Sequence, residues 1–409
     1  MYNSKKILII GYVWPEPTSS AAGSRMLQLI DFFKENRAEI TFASPAKQSE
    51  HIFNLASIGI DAKEIQLNDT SFDAFVADLK PDIVIFDRYM IEEQFGWRVA
   101  EQYPEAIRIL DTEDLHFLRK VRQIALKKDV EVNMDMLLQS DLAKREIASM
   151  YRCDLSLIIS EEELELLKGV FKINADLLLY LPFLLPKTEQ NQKQWEERAD
   201  FIFIGNFVHA PNWDAVLQLK KTIWLGIRKA LPKAKLHIYG AYPSQKVFDL
   251  HKETEGFMVH GRAEDAMEVM SKARVCLAPM RFGAGLKGKL IEAMQSGTPS
   301  VTTVIGAEGI NGDYEWNGII CDDIAEVAKT AIELYSDQQL WEQAQDAGYE
   351  ILEKRFDAKA HKARFKTTLE KLETNIQQHR TANFTGAMLQ QQTTQASKYM
   401  AKWIEEKNK

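Results

Sequence analysis

From Lys5 onward, short apolar runs alternate with amphipathic stretches: KILIIGY, SRMLQLIDFFKEN, EITFASP, FDAFVADLK and PDIVIFD. Unbroken apolar runs of this length mark strands buried on both faces. The stretches between them repeat their apolar residues at helical spacing, so the order reads as βαβ units of a parallel sheet. IRILDTED adds a strand, the stretch from about Leu115 to Met150 reads as one long helix, and LSLIIS, EELELLKGVF and DLLLYLP complete the first unit. Pro182, Pro186 and the polar run KTEQNQKQWEERA then interrupt the pattern. The rhythm restarts with the strand DFIFIGN, a proline-opened helix PNWDAVLQLKKTIWLGIRKAL, and the strands KLHIYGA, GFMVHG, RVCLAPM and PSVTTV. Beyond Asp322 the pattern is helical almost to the end. The fold class is therefore α/β. It comprises a Rossmann-like domain at 1–185, a linker at 186–199, a second Rossmann-like domain at 200–355, and C-terminal helices with a tail at 356–409. Two doubly wound halves place a cleft between them, outside the carboxyl ends of their strands.

A length of 409 residues exceeds what one core usually serves, which agrees with two domains. The formal net charge of −8 argues against a nucleic-acid partner, since a duplex binder needs a dense basic face. Cys153, Cys276 and Cys321 are odd in number and far apart, so they read as small buried apolar residues, with neither a disulfide framework nor a metal site. No window approaches the ~18 apolar residues of a membrane span, and the best stretch, ADLLLYLPFLLP, is broken by Pro182. A soluble, cytoplasmic protein is expected. Arg119, Lys120, Arg122, Lys127 and Lys128 read either as a peripheral membrane contact or as a solvated helix face. The final segment, with Tyr399, Met400 and Trp403 after a Gln/Thr-rich stretch, reads as a helical appendage docked on the body or a partner, or as disorder.

The chemistry concentrates in LAPMRFGAGLKGKLIEAMQSGTPSVTT, from Leu277 to Thr303. A strand ends at Pro279, a loop holds Gly283 and Gly285, and a helix is expected near Leu286. Glycines let the backbone approach a ligand, and the free N–H groups of a helix start attract phosphate. Lys287, in the first turn, and Arg281, in the loop, supply positive charge for a diphosphate. Glu292 follows Lys289 by three positions, so its plain structural reading is a surface ion pair.

This stretch resembles the donor-site signature of the retaining family 4 glycosyltransferases. FIFIGNFVHAPNWDAV and VHGRAEDAMEVMSKARVCLAPM are similar to the same subgroup in the same order, so the likeness runs from about Phe201 to Ile310. The resemblance implies a GT-B fold whose C-terminal domain holds a nucleoside diphosphate sugar as co-substrate, with no cofactor and no metal. The N-terminal domain would hold a glycan, lipid-linked or protein acceptor. Glu292 matches the carboxylate that binds the ribose hydroxyls, and Arg281 and Lys287 match positions near the donor diphosphate. Gly205 and Asn206 fall in the first donor-domain loop, and Arg262 in the base-binding loop. Glu308, in GAEGI, reads as a donor contact or a turn residue. Ala284 stands where many members carry the first of two glutamates eight positions apart, which leaves the backbone from Gly283 through Leu286, including Gly285, to meet the donor. His209 replaces the family's basic residues and reads as a polar contact or a surface residue.

In the first domain, the resemblance makes His116 a contact to the transferred sugar. Asp111, Glu113, Asp114 and Arg119 are acceptor-side or orienting candidates. Gly23 and Ser24 match the family's glycine pair only in part, with Ser24 as a helix N-cap the structural alternative. The implied reaction is retaining hexosyl transfer carried by His116, Arg281 and Lys287, in bacterial polysaccharide assembly. An epimerase on the same fold and a non-catalytic nucleotide-sugar binder are the rival readings.

Overall fold

The computed structural model describes residues 5–187, 193–391, 400–405 and 407. In the first sheet, β1 (Lys6–Ile10), β2 (Glu39–Ser44), β3 (Asp61–Glu64), β4 (Ile83–Asp87), β5 (Ile107–Asp111), β6 (Leu155–Ile158) and β7 (Leu178–Tyr180) lie in the order β3-β2-β1-β4-β5-β6-β7. In the second, β8 (Ala199–Ile204), β9 (Leu236–Tyr239), β10 (Phe257–Gly261), β11 (Ala273–Ala278), β12 (Ser300–Thr302) and β13 (Gly318–Ile320) lie in the order β10-β9-β8-β11-β12-β13. Neighbouring strands in both sheets are parallel. This is the GT-B arrangement of two Rossmann-like halves.

The strand runs are apolar throughout because each face of the sheet meets helices. Ile7 and Ile9 pack with Leu29, Ile30 and Phe33, whereas Leu8 and Ile10 pack in a separate cluster with Phe72, Val76 and Phe117. The long helix expected between Leu115 and Met150 is instead three: His116–Lys128, Met134–Leu138 and Asp141–Arg152. Asp129 ends the first with a φ of 55°, and the side chains of Asn133 and Ser140 cap the next two. Strand β3 is an exposed edge of Asp-Ala-Lys-Glu and carries no apolar pattern to read.

After the second sheet the chain returns to the first. Phe365, Leu369 and Leu372 of the helix Ala358–Ala382 are buried in the cluster that holds Ile7, Phe32 and Phe33. Arg380 clasps the buried Asp154 at 2.8 and 2.7 Å. The two crossings between the domains bond to each other: Leu185 N–H donates to Phe356 O and Ala358 N–H to Leu185 O, both at 3.0 Å. The helix Phe384–Gln391 follows, and Asn383 just before it donates to Tyr151 O at 2.8 Å. Met400 and Trp403 are exposed, while Tyr399 and part of the expected linker lie outside the described residues. No helix among the described residues is long and apolar enough to cross a membrane.

Candidate active site

Strand order reverses between β1 and β4 in one sheet and between β8 and β11 in the other, and the loops beyond those strand ends face each other. Between them runs a cavity of about 710 Å³. On the second-domain side, the loop after β11 leads to the helix Gly288–Gln295, with Lys287 at its N-cap position. Lys287 is buried. Its Nζ donates to Gly285 O at 2.9 Å and stands 3.7 Å from Glu308 Oε2. Burial pulls this ammonium well below its ordinary value, against the pull of Glu308. Lys289 is buried too, donates to Asn212 Oδ1 and sits 4.4 Å from the centre of the Phe203 ring. Burial brings it down to about 8. Burial pushes the Glu292 carboxyl up, with Lys289 opposing. A surface Lys289–Glu292 pair is thus not what forms, because Lys289 turns inward to Asn212 of the helix Ala210–Gln218. Two ammonium groups held in a dry wall have much to gain from an anion.

The first-domain wall is built at the ends of β4 and β5. Asp87 accepts from Tyr12 N–H at 2.9 Å and from Arg88 Nη1 at 3.0 Å. The fully buried Asp111 is held by Arg25 at 3.0 and 3.3 Å. Asp114 accepts from Arg119 and lies 3.3 Å from His116 Nε2. Burial alone would raise Asp114, but Arg119 and then His116 hold it well below the carboxylate range. His116 opens its helix with its ring edge-on to Tyr89 at 5.5 Å, and its backbone N–H donates to the buried Glu146 at 3.1 Å.

The walls also touch. Arg122 reaches across to Glu308 at 2.7 and 2.6 Å and to Gly283 O at 2.9 Å. Arg262 donates to Thr18 Oγ1 at 2.5 Å, and Tyr242 Oη to Glu16 at 2.8 and 2.6 Å. Gly285 N–H donates to Glu163 Oε1 at 2.7 Å. Gly285 takes a φ of +61°, and a Cβ there would lie 2.7 Å from that of Asp114, so both its conformation and its neighbour require glycine.

Of the residues singled out in the sequence, Gly23, Glu113, Asp114, His116, Arg119, Gly205, Asn206, His209, Arg262, Gly283, Ala284, Leu286, Lys287 and Glu292 line this one cleft. Five do not, Asp111 because it lies fully buried behind the wall on Arg25. Arg281 turns to Asp214, at 2.9 and 2.5 Å, because that carboxylate stands on the neighbouring helix. Glu308 is spent on Arg122, and Gly285 on Glu163. Ser24 Oγ donates to Pro17 O at 3.1 Å, and the N-cap is Ser20, which accepts from Gly23 N–H at 3.1 Å. His209 is exposed at the cleft, yet the walls around it and then the Arg119 charge hold its imidazole down at about 4. Arg88, Asn212 and Lys289 line the cleft without having been singled out for it. The first follows the strand run IVIFD, the kind of position where ligands bind in such sheets, and Lys289 repeats Lys287 two residues on.

Residues 198–337, the stretch that carries the second sheet, match the family described as Glycosyl transferases group 1. Solved structures with the same GT-B fold cover about nine-tenths of the chain. The pneumococcal O-GlcNAc transferase GtfA, in complex with UDP and GlcNAc, aligns at a TM-score of 0.68 with 14% identity, covering 90% of this chain and 99% of that one. Sucrose-phosphate synthase from Thermosynechococcus elongatus aligns at 0.65 with 15% identity, covering 90% and 99%. Anabaena Alr3699/HepE, in complex with UDP and glucose, aligns at 0.61 with 15% identity, covering 90% and 100%. No curated protein matches the chain.

Proposed function

We propose that the protein is a retaining glycosyltransferase of family 4. In this reading it moves a hexosyl group from a nucleoside diphosphate sugar to an acceptor hydroxyl, without a metal or other cofactor, in polysaccharide or glycoconjugate assembly in a bacterial cytoplasm. The carrying observation is the helix start at Gly288, where the buried Lys287 and Lys289 line the cleft, within the segment that matches the group 1 family. Departure of the nucleotide builds negative charge on its β-phosphate. Lysines already placed and desolvated stabilise that charge without reorganising, as do the backbone N–H groups at Gly288 and Lys289. In this scheme Glu292, further along the same helix, binds the ribose, and His116 on the facing wall meets the transferred sugar. Arg281, tied to Asp214, has no part in this scheme. Contacts across the cleft exclude water and protect the donor from hydrolysis.

The test is release of nucleotide from UDP-, GDP-, ADP- and dTDP-sugars by the purified protein, with Lys287→Ala and Glu292→Ala as controls. The complexes of GtfA and HepE with UDP make UDP-sugars the first donors to try. Release from one donor that depends on acceptor and disappears in both variants supports transfer. Conversion of donor without acceptor supports an epimerase, a thermal shift without turnover supports a binder, and no binding at all refutes the reading of the helix start.

A further inference from the structure

The carboxyl ends of β4 and β5 crowd three carboxyl groups, Asp87, Asp111 and Glu113, around two guanidinium groups. Arg25 is committed to Asp111 at 3.0 Å and Arg88 to Asp87 at 3.0 Å. The next cation along, Arg119, belongs to Asp114. Glu113 is left over. It lines the cleft, is nine-tenths buried, and its Oε1 is sealed from water without a hydrogen-bond partner. Its backbone takes a φ of +60°, in the left-handed region that is uncommon for a residue other than glycine.

A third negative charge without a cation of its own is far more costly here than a bound proton. We propose that Glu113 stands in the resting protein as a neutral carboxylic acid and donates a hydrogen bond to a hydroxyl of the substrate seated on the first-domain wall. Oε1 then serves as the sealed carbonyl oxygen, and the proton on Oε2 faces the cleft. The inference rests on the transferase reading and deepens it. Arg25, Arg88 and Arg119, the cations around Glu113, are each matched by an aspartate, so this part of the wall suits an uncharged, hydroxyl-bearing acceptor end. Burial, then Asp111, raise the Glu113 carboxyl to about 8. Asp87 adds to that rise, whereas Arg88 and Arg25 oppose it.

The experiment pairs infrared difference spectra with kinetics on the full chain. In wild type minus Glu113→Gln, without ligand, a protonated-carboxyl C=O stretch is expected near pH 6.5, fading as pH rises through about 8. A spectrum without that band at pH 6.5 overturns the proposal. With the donor that wild type turns over, Glu113→Gln keeps length, neutrality and a donor, and is expected to lose roughly threefold in kcat/KM. Glu113→Asn is too short to reach but tolerates the positive φ, and is expected to lose about tenfold or more. Equal losses in the two variants would show that the carboxylate itself acts, which overturns the proposal. Absence of turnover in wild type counts against the transferase reading instead, because the infrared measurement needs no substrate.

Discussion

Gly288 packs directly against the first domain. A Cβ built on it stands 2.3 Å from Ala21 Cβ, with Ala21 Cα and Phe183 Cζ at 3.7 Å. Carbon atoms pack comfortably at about 3.5–4.0 Å, so Gly288→Ala must push the domains apart locally by at least about 1.2 Å. Gly288 does not take a positive φ, and alanine is the better helix former by up to about 1 kcal/mol, so the second domain itself is not weakened. The strain falls on closure. A parting of that size stretches the 2.7 Å contact between Gly285 N–H and Glu163 to about 3.9 Å, beyond a hydrogen bond. A displacement near 1 Å between reacting groups costs on the order of a hundredfold in rate. Gly288→Ala should therefore lose about ten- to a hundredfold in kcat while its melting temperature stays within about 2 °C of wild type. Ala21→Gly removes the opposing methyl, and the double variant should recover most of the rate. Kinetics of both variants, with small-angle scattering to report the domain separation, decide the matter. A single variant within threefold of wild type, or a double variant no better than the single, would refute the steric reasoning.

Two other outcomes follow from the charges. With Lys289 at about 8 against an unfolded value near 10.5, the unfolded chain binds more protons between those limits, and this lysine's contribution to stability rises with pH across that window. A bound diphosphate restores the ammonium, so nucleotide-sugar binding at pH 8.5 should take up about one proton or more, and at pH 6.5 almost none. Calorimetry in buffers of different ionisation enthalpy measures this, and equal uptake at both pH values would contradict the depressed lysines. Arg380→Ala strips the buried Asp154 of its strongest partner and should cost about 2–3 kcal/mol, read as a lower urea midpoint for the first domain. A change below about 0.5 kcal/mol would mean that Arg108, whose Nε lies 3.9 Å from the same carboxylate, compensates.

The two-sheet architecture was legible because parallel strands buried on both faces leave unbroken apolar runs such as KILII and IVIFD. The exposed Asp-Ala-Lys-Glu of β3 has no such run, since an edge strand is held by its neighbour's backbone. The glycine loop with Lys287 was legible as local chemistry: glycine, helix start and charge stand within a few residues of one another. Arg281 was misplaced because its partner, Asp214, is far away in the chain and only the fold brings it near. Lys289 was read through helical spacing to Glu292, whereas the packing of another helix supplied Asn212. The same limit hid Arg122 with Glu308 and Gly285 with Glu163, since contacts between domains leave no periodicity in either partner. Ser20 and Ser24 each suit an N-cap by type, and the course of the chain after Pro17 chose the earlier one.

The helix Ala358–Ala382 supplies Phe365, Leu369 and Leu372 to a layer otherwise made of the first two hundred residues. On the ribosome that helix emerges only after about 170 residues of intervening chain, roughly 10–35 s later at about 5–20 residues per second. Until then Phe32 and Phe33 have no cover on that side, and the nascent first lobe offers an apolar stripe to chaperones or to other chains. A substitution that delays folding of the second lobe therefore lengthens the exposure of the first, so its damage would surface as aggregation through residues it never touches.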